Sequence, residues 1–116
     1  MPFALVIMDR YVEKYLTNNN IERYSPDYMI MGYDTQPIAQ KDIIAALYRF
    51  DYTARPQVIK KEWNGEYYRI IEYFENNKGI VRLLNTSYNL HGYPLVSDVD
   101  GALWVFDNSG LEYICN

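Results

Sequence analysis

His91 is the only histidine of the 116-residue chain and the side chain best suited to acid–base chemistry. Tyr93, Asp98 and Asp100 follow it closely, so His91 could act as a general acid or base together with one of them. A histidine that simply occupies a turn explains the same residues, and the sequence favours this interpretation. With one His and one Cys, Cys115, there is no basis for a zinc site, and we expect neither metal nor cofactor. We predict that the chain is not an enzyme, and an enzyme centred on His91 is the third hypothesis.

A second group of reactive side chains, Lys60, Tyr67 and Arg69, flanks the dipeptide Asn64-Gly65. Asn-Gly between two runs of strand-forming residues predicts a two-residue hairpin, which would place Lys60 directly opposite Arg69. Like charges at such positions repel each other. The pattern predicts a site for an anion or a nucleic acid, with Tyr67 stacking on a base. Two solvated cations are the simpler interpretation.

The last third of the chain differs in charge from the rest. Residues 83–116 contain four acidic residues and no Lys or Arg. The chain also contains thirteen tyrosines, a residue that is enriched at the centres of interfaces and that also suits half-buried strands. These features predict an acidic, Tyr-rich surface that binds a protein partner with a basic patch. Its residues would be Tyr88, Tyr93, Asp98, Asp100, Trp104 and Asp107. Strand-forming tyrosines and turn-forming aspartates explain the same residues without a partner.

Four turn sequences predict the elements that would carry these side chains. They are Trp63-Asn64-Gly65-Glu66, Asn76-Asn77-Lys78-Gly79, Asp98-Val99-Asp100-Gly101 and Asp107-Asn108-Ser109-Gly110, and residues that favour strands separate them. The C-terminal half is therefore predicted to be a β-meander of four to six strands. The segment 66–74 also has helical spacing, with Asn64 and Gly79 as possible caps, but we predict a strand there. Asp98 to Gly101 matches a fragment of a calcium loop, whose remaining ligands are missing.

The N-terminal half is predicted to supply two helices. Apolar spacing predicts one over 9–16, and the apolar run 3–8 is either a preceding strand or, slightly favoured, a continuation of that helix. A second helix is predicted over about 40–50, after a short strand over 28–33. The predicted class is α+β: a single domain over 1–116 with two helices packed on an antiparallel sheet.

Composition predicts a small soluble protein of the cytoplasm. A lone cysteine cannot form an intrachain disulfide, which suits a reducing compartment. The sequence shows no secretory signal and no apolar run long enough to span a bilayer, so we expect no membrane association.

The end of the chain resembles the ends of short proteins encoded by phages and prophages. The shared residues are Gly92-Tyr93-Pro94-Leu95-Val96, Val99-Asp100-Gly101 and Phe106-Asp107-Asn108-Ser109-Gly110. The resemblance implies an accessory protein of a mobile element, a class rich in inhibitors of host defence proteins, and it brings no catalytic residues. We therefore predict a non-enzymatic inhibitor, of the anti-defence or immunity type, that binds a protein. A module for nucleic acid or a small anionic ligand is the alternative.

Overall fold

A computed structural model describes residues 3–17 and 24–115, which fall into two compact units, Met1–Asn85 and Thr86–Asn116. The first unit contains a three-stranded sheet whose central strand is β1 (Ala4–Met8). β1 is parallel to β2 (Pro56–Ile59) and antiparallel to β3 (Arg82–Asn85). The α+β class is confirmed. Within the described residues the sheet is mixed rather than antiparallel, and it has three strands rather than four to six.

β1 is apolar throughout because both of its faces are buried. All five of its residues are buried, as is typical of a central strand covered on both sides. Alternate side chains enter two different cores. Leu5 and Ile7 pack in one core, and Val6 and Met8 pack with Ile71 in the other. The prediction that 3–8 continues a helix is wrong, because the backbone is extended up to Met8 and becomes helical at Asp9. No turn residue lies at this junction, so the sequence does not mark the change.

The remaining N-terminal elements are short. The helix predicted over 9–16 is present as a 3-10 turn, Asp9–Tyr11, followed by α1 (Val12–Tyr15). The helix predicted over 40–50 is instead α2 (Pro37–Asp42) and a 3-10 turn, Ile44–Ala46, since Pro37 favours a start at that residue. The strand predicted over 28–33 is wrong. The positive φ of Met29, 56°, interrupts the extended backbone, and only Tyr33 forms a bridge, to Ala54.

The segment 66–74 belongs to a helix, α3 (Gly65–Lys78), so the predicted hairpin is wrong. The Asn64 side chain accepts a hydrogen bond from the Tyr67 amide at 3.2 Å, which caps the first turn. Gly79 ends the helix in the left-handed region, with φ of 66°. The helix forms instead of the hairpin because helical spacing buries Tyr68 and Ile71 against β1. The expected pairing of Lys60 with Arg69 across a sheet therefore does not exist.

Two side chains of the 3-10 turn Asp9–Tyr11 hold α3 in place. Arg10 forms ion pairs with Glu72, at 3.4 Å, and with Glu75. The hydroxyl of Tyr11 also donates a hydrogen bond to Glu75. Both bonds lower the pKa of the Glu75 carboxyl because they stabilise its charged form, and the bond from Tyr11 has the larger effect.

The smaller unit is built around α4 (Val99–Asp107), so the predicted β-meander is wrong. Both C-terminal turn sequences are helix ends. The Asp98 carboxylate accepts a hydrogen bond from the Gly101 amide at 2.7 Å and caps the helix, while Asp107 is the last residue of α4. A Cβ at position 101 would lie 3.1 Å from that Asp98 oxygen, so glycine permits the close cap. Within the described residues, the helices are too short or too polar to cross a membrane.

Candidate functional site

A cavity of about 310 Å³ lies at the C-terminal end of β2, and we call it the Asp27 pocket. This end of a parallel strand is where ligands commonly bind in α/β sheets. The pocket is lined by Asp27, Tyr28, Gln57, Val58, Ile59, Lys60, Trp63 and Asn64. It combines a carboxylate, an ammonium group and two large aromatic rings.

The pocket forms because the segment before β2 folds along the free edge of this strand. β2 pairs with β1 on one side only, and its other edge would expose unpaired backbone groups. Instead, the Val58 amide donates to the carbonyl of Pro26 at 3.1 Å, and the Met29 amide donates to the carbonyl of Pro56 at 3.0 Å. These bonds place Asp27 and Tyr28 beside the strand. The positive φ of Met29 is a strained conformation of the kind found near binding sites.

The carboxylate of Asp27 is the most buried charged group of the pocket. Its side chain is 3% exposed. One oxygen, Oδ2, accepts hydrogen bonds from the Ser25 hydroxyl at 2.5 Å and from Lys60 Nζ at 2.9 Å. The other oxygen, Oδ1, is buried and has no hydrogen-bond partner within residues 3–17 and 24–115. A buried acceptor without a partner is uncommon and calls for an explanation.

Lys60 connects this carboxylate to the aromatic part of the pocket. Its ammonium lies 4.0 Å from the centre of the Trp63 ring, a favourable cation–π distance. The Trp63 ring stacks on Tyr28 with 6.4 Å between centroids and 15° between planes. Both rings are more than half exposed. The pocket thus presents a hydrogen-bond acceptor, a donor and flat aromatic surface, which together can recognise a planar polar group.

The residues predicted to bind an anion or nucleic acid are not brought together. Lys60 is in the Asp27 pocket, where its charge is paired with Asp27. Tyr67 and Arg69 lie on α3, two positions apart, and side chains at this spacing do not share a helix face. Tyr67 is half-buried and packs against the core of Tyr68 and Ile71, whereas Arg69 is exposed. Nucleic-acid binding stays a prediction, without its proposed hairpin geometry.

The residues predicted to bind a protein partner all lie in the smaller unit. The Tyr88 hydroxyl donates to the carbonyl of Ala102 at 2.9 Å, and the Tyr93 ring packs on Trp104 at 5.1 Å between centroids. The exposed carboxylates of Asp98, Asp100 and Asp107 occupy the N-cap, the first turn and the last residue of α4. His91 is exposed and precedes Gly92, which has φ of 84°. The structure thus groups the aromatic residues, and binding of a protein with a basic patch stays a prediction.

The sequence-based reasoning missed the roles of Asp27, Tyr28 and Trp63. Asp27 and Lys60 are 33 residues apart, so no local spacing relates them. Tyr28 lies in the predicted strand and Trp63 in the predicted hairpin turn, and the described residues form neither of these elements. The signal that could have found the site is Ser25-Pro26-Asp27, a turn-forming sequence that places an acidic residue directly before an aromatic one.

The fold and the pocket define an α+β domain with a cleft at the end of an edge strand. Comparison with known proteins adds the family. The profile described as carbamoyltransferase C-terminus matches residues 1–115, nearly the whole chain. The chain belongs to this carbamoyltransferase C-terminus family.

Curated relatives come from archaea and bacteria. An uncharacterized protein of Methanocaldococcus jannaschii is 39% identical over 103 residues, which is 89% of this chain and 19% of the relative. Nodulation protein NolO of Bradyrhizobium diazoefficiens is 31% identical over 74 residues, 64% of this chain and 14% of that protein. Nodulation protein NolNO of Sinorhizobium fredii is also 31% identical over 74 residues, 64% of this chain and 11% of that protein. The chain spans less than a fifth of the length of these relatives.

These findings overturn two predictions. The assignment to phage and prophage proteins is wrong, because the carbamoyltransferase C-terminus family matches residues 1–115, whereas the resemblance rested on turn residues and strand formers between 92 and 110. The prediction of an inhibitor encoded by a phage or mobile element is wrong for the same reason. The Asp100-Gly101 sequence lies in the first turn of a helix rather than in a meander, so such a dipeptide does not identify a family.

Proposed function

We propose that this domain serves carbamoyl transfer by holding a carbamoyl-bearing substrate, and that it does not catalyse the transfer by itself. The observation that carries the proposal is the match of residues 1–115 to the carbamoyltransferase C-terminus family. The chain corresponds to less than a fifth of the archaeal relative, so the reacting groups of a complete transferase would come from elsewhere in such a protein. We also propose that the domain works in the cytoplasm, because a lone cysteine, Cys115, suits a reducing compartment.

The chemistry of a carbamoyl group defines what such a domain has to recognise. The group is planar, with an amide-type nitrogen that donates two hydrogen bonds and a carbonyl oxygen that accepts them. A domain that selects it needs at least one acceptor for the N–H groups, and this acceptor must be shielded from competing water. Selectivity against a group of the same shape without N–H then arises because the buried acceptor would lose its hydrogen bond.

The proposal is tested by comparing carbamoyl phosphate, a simple activated carbamoyl compound, with acetyl phosphate, in which a methyl group replaces the amino group. Binding to the ¹⁵N-labelled chain is followed by NMR titration, with inorganic phosphate as the control. We expect saturable binding of carbamoyl phosphate, at least about tenfold tighter than that of acetyl phosphate. Phosphate release from carbamoyl phosphate should be no faster with the chain than without it. Equal affinity for all three compounds would contradict selective holding, and multiple-turnover phosphate release would contradict the non-catalytic role.

A further inference from the structure

Asp27, which lines the pocket, has a buried oxygen that receives no hydrogen bond from the described residues. The Asp27 side chain is 97% buried, and its Oδ1 has no hydrogen-bond partner among the described residues. Since Oδ2 already receives two hydrogen bonds, Oδ1 is the oxygen that remains able to accept one. Because Oδ1 is itself buried, the Asp27 side chain has to shift towards the cavity before a ligand can donate an N–H to this oxygen and complete the shell of the carboxylate.

The ammonium group of Lys60 lies next to the Asp27 carboxylate and can donate hydrogen bonds. Lys60 Nζ carries three protons and donates one of them to Asp27 Oδ2 at 2.9 Å, while its side chain keeps 30% exposure. A ligand oxygen in the pocket could therefore accept a second hydrogen bond from Nζ. One donor beside one acceptor matches the N–H and C=O of a single amide group.

The charges of the pocket favour an uncharged ligand. Asp27 and Lys60 form a contact ion pair, so their charges cancel at short range. An anionic ligand would approach a buried carboxylate, and a cationic ligand would compete with Lys60 for it. A neutral amide makes the same two hydrogen bonds without either penalty.

The two rings provide the surface for an aromatic part of the ligand. Trp63 is 58% exposed and Tyr28 is 62% exposed, although stacked aromatic side chains usually gain stability by burial. Their planes differ by only 15°, so the two rings are nearly parallel, and both line the pocket with part of their apolar area exposed. The cavity volume of about 310 Å³ is at the lower end of the range for sites that bind small molecules.

We propose that the Asp27 pocket binds a small planar aromatic amide. The amide N–H donates to Asp27 Oδ1, the amide carbonyl accepts from Lys60 Nζ, and the ring stacks on Trp63. The inference stands on the geometry of the pocket and goes beyond the proposed function, which concerns the carbamoyl group alone.

The test uses Trp63 as the reporter. The chain has two tryptophans, and Trp104 lies in the smaller unit, so Trp104→Phe leaves Trp63 as the single indole. This variant is titrated with benzamide, with N,N-dimethylbenzamide, which lacks the N–H donor, and with benzoate, which carries a charge. We expect saturable quenching of Trp63 by benzamide. The apparent Kd should rise at least about tenfold for N,N-dimethylbenzamide and for benzoate.

Variants then assign the two contacts. In the same background, Asp27→Asn should weaken benzamide binding about tenfold and should reduce its preference over N,N-dimethylbenzamide. Lys61→Met, at a neighbouring exposed lysine, is the matched control and should leave the Kd unchanged. Equal affinities for benzamide and its dimethyl derivative would overturn the inference in favour of a merely apolar crevice, and tighter binding of benzoate would overturn it in favour of an anion site. These ligand comparisons need no substitution in the pocket, so they hold even if Asp27→Asn does not fold.

The outcomes separate this inference from the proposed function. Benzamide binding without selective binding of carbamoyl phosphate would support the pocket and contradict the proposed function. The reverse result would contradict the pocket as an amide site and leave the family-based proposal intact.

Discussion

Lys60→Met should destabilise the larger unit, because it leaves the buried carboxylate of Asp27 without its counter-ion. Removing one partner of a fully buried ion pair costs about 3–5 kcal/mol. The Asp27 side chain is 3% exposed, but that of Lys60 is 30% exposed, so water can replace part of the lost interaction. The Ser25 hydroxyl, at 2.5 Å, remains as a donor to the same carboxylate. We therefore expect a loss of about 2 kcal/mol in the free energy of unfolding.

Removing both charges should restore most of this loss. In the double variant Asp27→Asn/Lys60→Met the pocket contains no ion, and replacing a buried pair by neutral groups is often close to neutral. We expect its free energy of unfolding to lie within about 1 kcal/mol of that of the unsubstituted chain. The effects of the two substitutions are thus far from additive, as expected for directly bonded side chains.

Urea unfolding of the larger unit measures both effects. Trp63 fluorescence in the Trp104→Phe background reports on this unit alone. With a denaturant dependence of about 1–3 kcal/mol per molar urea, the midpoint of Lys60→Met should fall by about 1 M. Lys61→Met, an exposed neighbour, serves as the control and should shift the midpoint little. If Lys60→Met unfolds at the same urea concentration as Lys61→Met, the carboxylate of Asp27 does not depend on Lys60 and the reasoning fails.

Three further predictions concern α3. Ile71→Ala should reduce the free energy of unfolding by about 3 kcal/mol, because Ile71 is 0% exposed. Ile70→Ala, at a 52% exposed position, should reduce it by less than about 1 kcal/mol. Equal losses in urea unfolding would contradict the assigned helix face. Asn64→Ala should cost about 1 kcal/mol through loss of the N-cap, and Asn64→Ser should recover most of it, which thermal unfolding by circular dichroism would measure. The lowered pKa of Glu75 means that its bonds with Tyr11 and Arg10 stabilise the fold above the ordinary carboxyl pKa and are lost as the pH falls through the lowered value. Glu75→Gln should therefore be less stable than the unsubstituted chain at pH 7, and the difference should disappear in strong acid; a constant difference in urea midpoints across that range would refute the coupling.

The α+β class could be predicted because it depends on local apolar patterns. The spacing over 9–16 is helical, and the stripe over 66–74 with its two possible caps, Asn64 and Gly79, contained the information for α3. The incorrect choice of a hairpin there shows that an Asn-Gly dipeptide cannot distinguish a turn from an N-cap followed by a first helical residue. The same ambiguity explains the missing meander, since Asp98 and Gly101 satisfy an N-cap as well as a turn.

The central strand and the pocket depend on tertiary partners, so the sequence alone does not determine them. The apolar run 4–8 contains no polar position that would indicate a period, because both of its faces are covered. The Asp27 pocket requires the backbone of Pro26 and Met29 to pair with β2, which lies about thirty residues further along the chain. No spacing rule relates Asp27 to Lys60 before this pairing is known.

The orphaned oxygen of Asp27 is the observation that favours the proposed binding role over a purely structural one. A structural ion pair gains most when both carboxylate oxygens have donors, because a buried acceptor without a donor weakens the fold. Here Ser25 and Lys60 both donate to Oδ2, and Oδ1 remains without a partner among the described residues. The arrangement orients the carboxylate at the expense of stability, as active and binding sites commonly do. An aromatic amide that reaches Oδ1 should therefore raise the unfolding midpoint of the unsubstituted chain and should have little effect on the Asp27→Asn/Lys60→Met variant, since a ligand stabilises only the folded state that binds it. An equal rise for both proteins would contradict the binding role.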